Sequence, residues 1–435
     1  MRIVMRYGKR GLPVDLPDDL DVTVIRKPEM PVVKEPREAV RAALSQSAGC
    51  RPLVEEAKGS TRVCILICDI TRPVPNNMVL PILVDALMGA GVAPGSITVL
   101  VATGLHRPNE GEELRELVGD DRVLKTVRVE NHFARRDEEH VFLGTTPRGI
   151  PVKFDRRVVD ADLRIAVGLV EPHFMAGYSG GRKVIIPGAA HQDTIRALHA
   201  TKILRHEKAA NCILEGNPLH EEQLAAIRML GKSFAVNTVI DEARNLSFAN
   251  FGEIEASHAE AVSFVEPFMV LPIDRKFATV LTSSAGYPLD RNYYQTVKGM
   301  VGVAGILEQG ANLFIVSECS EGLGTTEYAA VQEELIRAGE ERFLEETSRK
   351  EFAAIDEWEA IMQIKAMRMG TVHLYSTCLS GIERSLTGVR LIESVSDAIM
   401  ASVREKHDKR VAVVPEGPYV IPMYRPPLSS PQAAP

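Results

Sequence analysis

The sequence predicts an α/β protein of two domains, each built on a largely parallel sheet. Three observations carry this. The chain has 435 residues, too many for one ordinary core. Short continuous apolar runs alternate with stretches of helical spacing, the mark of βαβ units and a parallel sheet. The alternation comes in two separate runs. We therefore expect an N-terminal α/β domain over 1–270, a C-terminal α/β domain over 275–422 and a tail over 423–435.

The elements follow in order. Residues 2–7 and 21–26 read as short strands and 36–45 as a helix. VCILICDI (63–70) is a buried strand, stopped by TRPVP, and PNNMVLPILVDALMGAG (75–91) is a helix with a glycine stop. SITVLVATG (96–104) is a second buried strand, NEGEELRELVG (109–119) a charged surface helix, and RIAVGLV (164–170) a third apolar strand. HQDTIRALHATKIL (191–204) has helical spacing throughout. In the second run, FATVLTSSAG (277–286) is a strand, NYYQTVKGMVGVAGILEQG (292–310) a helix opened by Asp290 as N-cap, and NLFIVSE (312–318) a strand. Helices near 325–346 and 356–368 precede TVHLYSTC (371–378), SVSDAIMASVREKH (394–407) and RVAVVPEG (410–417), read as strand, helix and strand. PPLSSPQAAP (426–435) has the composition of a disordered tail.

Composition narrows the partners. The net charge is −7 with no basic stripe, which argues against nucleic acid, whose phosphates need clustered Lys and Arg. A small anionic ligand stays compatible, because a few local cations overcome a weak global field. No apolar run approaches the roughly 20 residues that span a bilayer, and the first residues hold no apolar signal core. Six scattered cysteines lack the paired short spacings of a zinc site and read as reduced thiols of a cytoplasmic protein. Walker-A and Gly-x-Gly-x-x-Gly patterns are absent.

In open α/β sheets ligands bind beyond the carboxyl ends of the strands. There the first strand delivers Asp69 and Arg72, the second His106 and the third Glu171 and His173. Singly, each has a bland reading: a helix cap, a surface cation, a hydrogen-bonded structural histidine. Their co-location at one sheet edge favours a site. Next comes GYSGGRKVIIPGAA (177–190). Its Gly177, Ser179, Gly180 and Gly181 would let a backbone cradle a phosphate, with Arg182 and Lys183 adding charge. A mobile basic loop is the alternative. His199 lies in an aliphatic neighbourhood and reads equally as a core residue. In the second domain Tyr294, Gln295 and Lys298 cluster near a helix N-terminus, as a carboxylate receptor or as an ordinary amphipathic face.

Together, DITRP (69–73), ATGLHRP (102–108), EPHFMAGYSGGRK (171–183), the His199 helix and GYPLDRNYYQTVKGM (286–300) resemble the nickel-dependent lactate racemase family. The resemblance runs from the first buried strand through the second domain. It implies a racemase or epimerase of a small 2-hydroxy acid, with lactate the leading substrate and malate among the others. The cofactor it implies is a nickel-pincer nucleotide, a pyridinium-3-thioamide-5-thiocarboxylic acid mononucleotide made by dedicated synthesis enzymes. Lys183 would carry it as a thioamide, and His199 would be the imidazole ligand to nickel, a metal suited to nitrogen donors in a plane. Asp69 and the glycine loop would contact the cofactor. The reaction implied is hydride transfer through a transient 2-keto acid, with His106 and His173 as the two acid/bases, since imidazole titrates near neutrality. Arg72, Tyr294, Gln295 and Lys298 would bind the substrate carboxylate, Trp358 would face the site, and the site would lie in a cleft between the domains. Arg291 reads either as a receptor for a second carboxylate or as a surface residue.

Two other classes stay open on sequence: a zinc hydrolase using His106, His173 and His199, and a non-catalytic module binding a nucleotide or organic anion through the glycine loop. The oligomeric state is also open, a homo-oligomer included.

Overall fold

The computed structural model describes residues 1–426. The chain forms two compact units. The first takes Glu29–His199 and Lys208–Pro267; the second takes Met1–Pro28, Ala200–Glu207 and the chain from Phe268 onward.

The first unit is built on a six-stranded sheet in the order Leu246–Glu253, Phe234–Ile240, Leu163–Leu169, Val63–Cys68, Ile97–Ala102, Arg128–Asn131. All neighbours are parallel except the antiparallel edge pair Phe234–Ile240 with Leu246–Glu253. The central strands are buried on both faces, as β-branched and aliphatic runs under covering helices must be. Val63–Cys68 is followed in sequence by a neighbour on one side and later by one on the other. The strand order therefore reverses at its carboxyl end, where a ligand crevice is expected. Helices Pro36–Ser45 and Asn76–Gly89 bury their apolar faces against this sheet.

The second unit has an all-parallel six-stranded sheet: Arg390–Leu391, Gly370–Tyr375, Leu307–Val316, Phe277–Ser283, Arg410–Val414, Asp21–Val24. The expected domain limits are amended by this pairing. Asp21–Val24 lies against Arg410–Val414, and Ile25 N–H donates to Val413 O at 2.8 Å, so the first 28 residues belong with the C-terminal half. A pairing across almost the whole chain leaves no local sign in either strand. Met423 and Tyr424, placed in the tail by sequence, complete a strand parallel to Val270–Ile273. Residues 427–435, the rest of that tail, lie outside the described residues.

Several boundaries also move. The helix begun at 292 ends at Gly302, and the next strand starts at Leu307, five residues before the apolar run that marked it. The 325–346 stretch is two helices broken at Gly339, with φ +78°. The 191–204 stretch is likewise two helices, Gln192–Leu198 and Thr201–Leu204. Strands Phe234–Ile240 and Leu246–Glu253 and helices Pro218–Leu230 and Ile254–Met269 stand where no element was predicted. All six cysteines are free, and among the described residues no helix is long and apolar enough to cross a membrane.

Helix Glu357–Met367 packs against helix Tyr293–Gly302 and carries a buried acid. Glu359 is 0% exposed, and burial pushes its carboxyl up to about 8, against the pull of Lys298 and with Asp356 adding to the rise. An unfolded glutamate titrates near 4.3. Between about pH 4.3 and 8 the folded chain therefore holds a proton that the unfolded chain has lost, so stability falls as pH rises through that window and levels off above it. Glu359→Gln has no such loss. Its thermal stability relative to the parent is expected to improve progressively from pH 5 to 8, by an amount on the order of a few kcal/mol, then stay constant. Parallel melting curves that stay equally spaced across that range would refute the assignment.

Candidate active site

Asp69 directly follows strand Val63–Cys68 and is 5% exposed. Its Oδ2 lies 2.6 Å from His106 Nδ1, and its Oδ1 accepts from Thr71 Oγ1 at 2.6 Å. Burial alone would raise this carboxyl, but the hydrogen bond and charge of His106, with Thr71 and Arg72, outweigh it and hold Asp69 below the usual range. His106 stands on the loop after Ile97–Ala102, its amide donating to Thr103 O at 3.0 Å, with 63% of its side chain exposed. A carboxylate on Nδ1 leaves Nε2 as the atom presented to a ligand. Arg72, from the Asp69 loop, pairs with Glu171 of the loop after Leu163–Leu169 at 3.3 Å.

His173 lies in the small hairpin of Pro172–His173 with Gly177–Tyr178. Its Nδ1 accepts from the amides of Met175 and Ala176, both at 3.3 Å, so Nε2 carries the proton of the neutral ring. Lys183 Nζ is 3.1 Å from that Nε2. Lys183 sits on the short helix Arg182–Ile185. His199 is the C-cap of Gln192–Leu198; its Nδ1 bonds Ile195 O at 2.7 Å, so Nδ1 donates and Nε2 bears the lone pair. Burial pushes His199 down to about 4, against that hydrogen bond and with the Lys183 charge adding to the fall. The imidazole is thus neutral and close enough to Lys183 to feel it. Asp69 with His106, Arg72 with Glu171, and His173 with Lys183 gather beyond the carboxyl ends of three adjacent strands.

Two amides of the glycine loop, expected as a phosphate cradle, are engaged within the protein. Residues 174–182 are buried throughout. The Ser179 amide donates to Glu171 O at 2.9 Å, its hydroxyl to Leu169 O at 2.7 Å, and the Gly181 amide to Asn237 Oδ1 at 3.0 Å. A Cβ on Gly177 would stand 2.4 Å from Ile213 O, and one on Gly180 2.5 Å from Val170 Cγ2. Gly180 therefore lets the loop lie on the sheet, Gly177 lets it pass the backbone of Ile213, and the Ser179 and Gly181 amides are engaged within the protein. The physical reason is close packing, which a sequence of glycines does not distinguish from ligand approach.

Arg182, read from sequence as a ligand-facing cation, is instead buried, and His258 and Asn237 behind the loop were missed by sequence reasoning. Arg182 is 1% exposed; its guanidinium donates to Ala176 O at 2.8 Å and Tyr178 O at 3.2 Å and lies 3.2 Å from His258 Nε2. Burial pushes it down to about 9. His258 also reaches Ser179 O at 2.8 Å. Asn237 was detectable: an amide inside the otherwise apolar strand FAVNTVI is a polar group needing a buried partner.

In the second unit, the cap of Tyr293–Gly302 is Asn292, whose Oδ1 accepts from Gln295 N at 3.1 Å. Asp290, expected as that cap, is buried one turn earlier and accepts from the amides of Gly8 at 2.6 Å and Glu318 at 3.2 Å. A residue two positions further on reaches the helix amides instead. Lys298 Nζ donates to Gln295 Oε1 at 2.5 Å, and Trp358 Nε1 donates to the Tyr294 hydroxyl at 3.0 Å. Phenol, amide and ammonium stand together on the first turns of this helix. Arg291 is a half-exposed partner of Glu321 at 3.5 Å, a surface ion pair of small energetic weight.

A cavity of about 700 Å³ opens at the other end of the first unit's sheet, near the starts of Val63–Cys68 and Ile97–Ala102, and none of the expected site residues lines it. Among the described residues, no group of three or more His, Cys, Asp or Glu side chains is arranged to hold a metal, so His106, His173 and His199 do not make a zinc site.

The chain is similar to known proteins over most of its length. The lactate racemase N-terminal domain pattern matches residues 7–211, and the lactate racemase C-terminal domain pattern matches residues 274–422. The lactate racemase of Thermoanaerobacterium thermosaccharolyticum is 34% identical over 325 residues, 74% of this chain and 75% of that protein. The lactate racemase of Lactiplantibacillus plantarum is 35% identical over 290 residues, 66% of this chain and 67% of that one. Among solved structures, the lactate racemase apoprotein from T. thermosaccharolyticum aligns with a TM-score of 0.89 and 28% identity, over 98% of this chain and all of that one. A Thermotoga maritima protein shares the fold, at a TM-score of 0.65 and 19% identity over 89% of this chain and 98% of its own.

Proposed function

This chain belongs to the lactate racemase family, and from that premise we propose that it interconverts the enantiomers of lactate with His106 and His173 as its two acid/bases and Lys183 as the anchor of a nickel-pincer nucleotide. The observation that carries this reading is the convergence of Lys183 with His173 at 3.1 Å and with a neutral, buried His199.

The family is nickel-dependent, and the residues present fit the group. A metal-bound imidazole needs a lone pair on one nitrogen and a fixed partner on the other. His199 has both, with Nδ1 tied to Ile195 O and burial keeping the ring uncharged. Lys183 Nζ stands 3.1 Å from His173 Nε2, on the short helix where the nucleotide arm would join it. When bound, the nickel-pincer nucleotide supplies a hydride acceptor, which spares the enzyme a carbanion beside a carboxylate.

The chain's own residues do the rest. His106 Nε2 takes the hydroxyl proton of one enantiomer. Asp69, held ionised below the usual carboxylate range, keeps His106 in one tautomer and steadies the imidazolium that forms. His173 serves the turned keto group through Nε2, which gives the proton it carries, its ring held by two backbone amides. Lys298, steadied by Gln295, binds the substrate carboxylate together with Tyr294, whose hydroxyl Trp358 orients, and Arg72 adds a second cation. The other 2-hydroxy acids named from sequence are substrates to be compared with lactate in the same assay.

Three outcomes are expected. Intact mass and peptide mapping of protein made alongside the cofactor-synthesis enzymes should place an adduct on Lys183; an unmodified Lys183 in fully active protein would end this reading. Asp69→Asn should lower kcat for lactate racemisation about 10²- to 10⁴-fold with KM nearly unchanged, since it removes orientation and charge from the base and not from binding. Lys298→Met should raise KM roughly 10- to 100-fold while leaving the Lys183 adduct intact, the weight of one charge-assisted hydrogen bond.

A further inference from the structure

Behind the His106 loop lies a group of histidines that the reaction does not use. His132, His140 and His191 are 1%, 8% and 2% exposed. His132 follows strand Arg128–Asn131, and its amide donates to Val101 O at 3.0 Å. His140 opens strand His140–Thr145. His191 is the N-cap of Gln192–Leu198, the helix that His199 closes.

The contacts assign the protons. His140 Nδ1 is 2.7 Å from Arg136 O, a carbonyl that only accepts, so Nδ1 carries the hydrogen. Its Nε2 is then an acceptor, and the 3.0 Å contact with His132 Nε2 requires the hydrogen to sit on His132. His132 Nδ1, left with a lone pair, faces Thr103 Oγ1 at 3.4 Å, while that hydroxyl donates to His132 O at 2.7 Å. The His140 ring meets His191 edge to face at 4.9 Å. His191 in turn bonds Asp137 through Nε2 at 2.6 Å and accepts the Asp193 amide at 3.2 Å, which caps the helix. Burial pushes His132 down to about 3 and lowers His140, so both rings are neutral near pH 7.

The two ends of this chain of contacts touch the two segments on which the chemistry depends. Thr103 accepts the His106 amide at 3.0 Å and begins the loop that carries that base. His191 starts the two-turn helix that ends in His199. Resting on the roles of His106 and His199 given above, we propose that His132 and His140 are positioning residues, a neutral hydrogen-bonded imidazole pair, seated on His191, that holds the His106 loop and the His199 helix in one fixed relation. An N–H···N bond inside a low-dielectric core is directional and costly to leave unmade, which an aliphatic filler of equal bulk does not reproduce. A displacement of about 1 Å at a catalytic group costs on the order of 10²-fold in rate.

Two variants test this. His132→Gln keeps a side-chain N–H donor, and His132→Leu keeps bulk without one. Per site loaded at Lys183, H132L is expected to lose roughly 10- to 100-fold in kcat with KM within about two-fold, and H132Q to recover most of the loss. In cofactor-free protein, the ring ¹⁵N signals of His106 and His199 should shift in H132L and hold in H132Q, a readout independent of the nickel chemistry. Full kcat in H132L, or equal impairment of both variants, overturns the proposal by marking a packing role. Should H132L not fold, ¹⁵N spectra of the unmutated cofactor-free protein near pH 7 decide. A hydrogen on Nδ1 of His140 and on Nε2 of His132 supports the pair, and the reverse pattern or a charged ring overturns it. The expected tautomers and coupled shifts in a protein that turns over no lactate would uphold the pair and sink the functional reading instead.

Discussion

Three adjacent parallel strands, Val63–Cys68, Ile97–Ala102 and Leu163–Leu169, run in register and stop at one edge of the sheet, and the chemistry of the first unit depends on that alignment. Each strand is buried on both faces, so its chain cannot offer a polar side chain until it leaves the sheet. The first polar residues after each strand are therefore delivered to the same place. Asp69, His106 and His173 lie within four residues of those strand ends, and the 2.6 Å bond between Asp69 and His106 joins two of the loops directly. A shift of one strand by a single residue would reverse which side chains face the core and separate this pair.

The loop that carries Lys183 is held by a different device. Arg182 places a guanidinium in the interior with carbonyl oxygens and an imidazole around it. Such a group is expensive to bury, and its charge depresses His258, which burial has already lowered. The field it leaves favours neutral or negative neighbours, in keeping with an uncharged His199. Asn237, His258 and the closely packed glycines make this loop a rigid part of the core. Lys183 and His173 thus keep their geometry before any ligand arrives.

The second unit contributes a helix start in place of strand ends. Asn292 caps Tyr293–Gly302, and the helix dipole there favours negative charge. Lys298 adds a full charge one turn on, steadied by Gln295, with the buried acid of Glu359 close enough to be drawn down by it.

Sequence alone determined the class of fold, the central strands and the residues beyond their ends, because burial on both faces writes itself as an uninterrupted apolar run and a ligand site as the polar break after it. It also determined the family, through motifs whose joint occurrence is specific. What it could not determine were relations between residues far apart in the chain. The seating of residues 21–24 beside 410–414, the choice of Asn292 over Asp290 as cap, the engagement of the Ser179 and Gly181 amides within the protein, and the meeting of His132 with His140 and His191 were decided only by the folded structure. Each depends on which surfaces pack together, and packing is a property of the assembled core that no local pattern encodes.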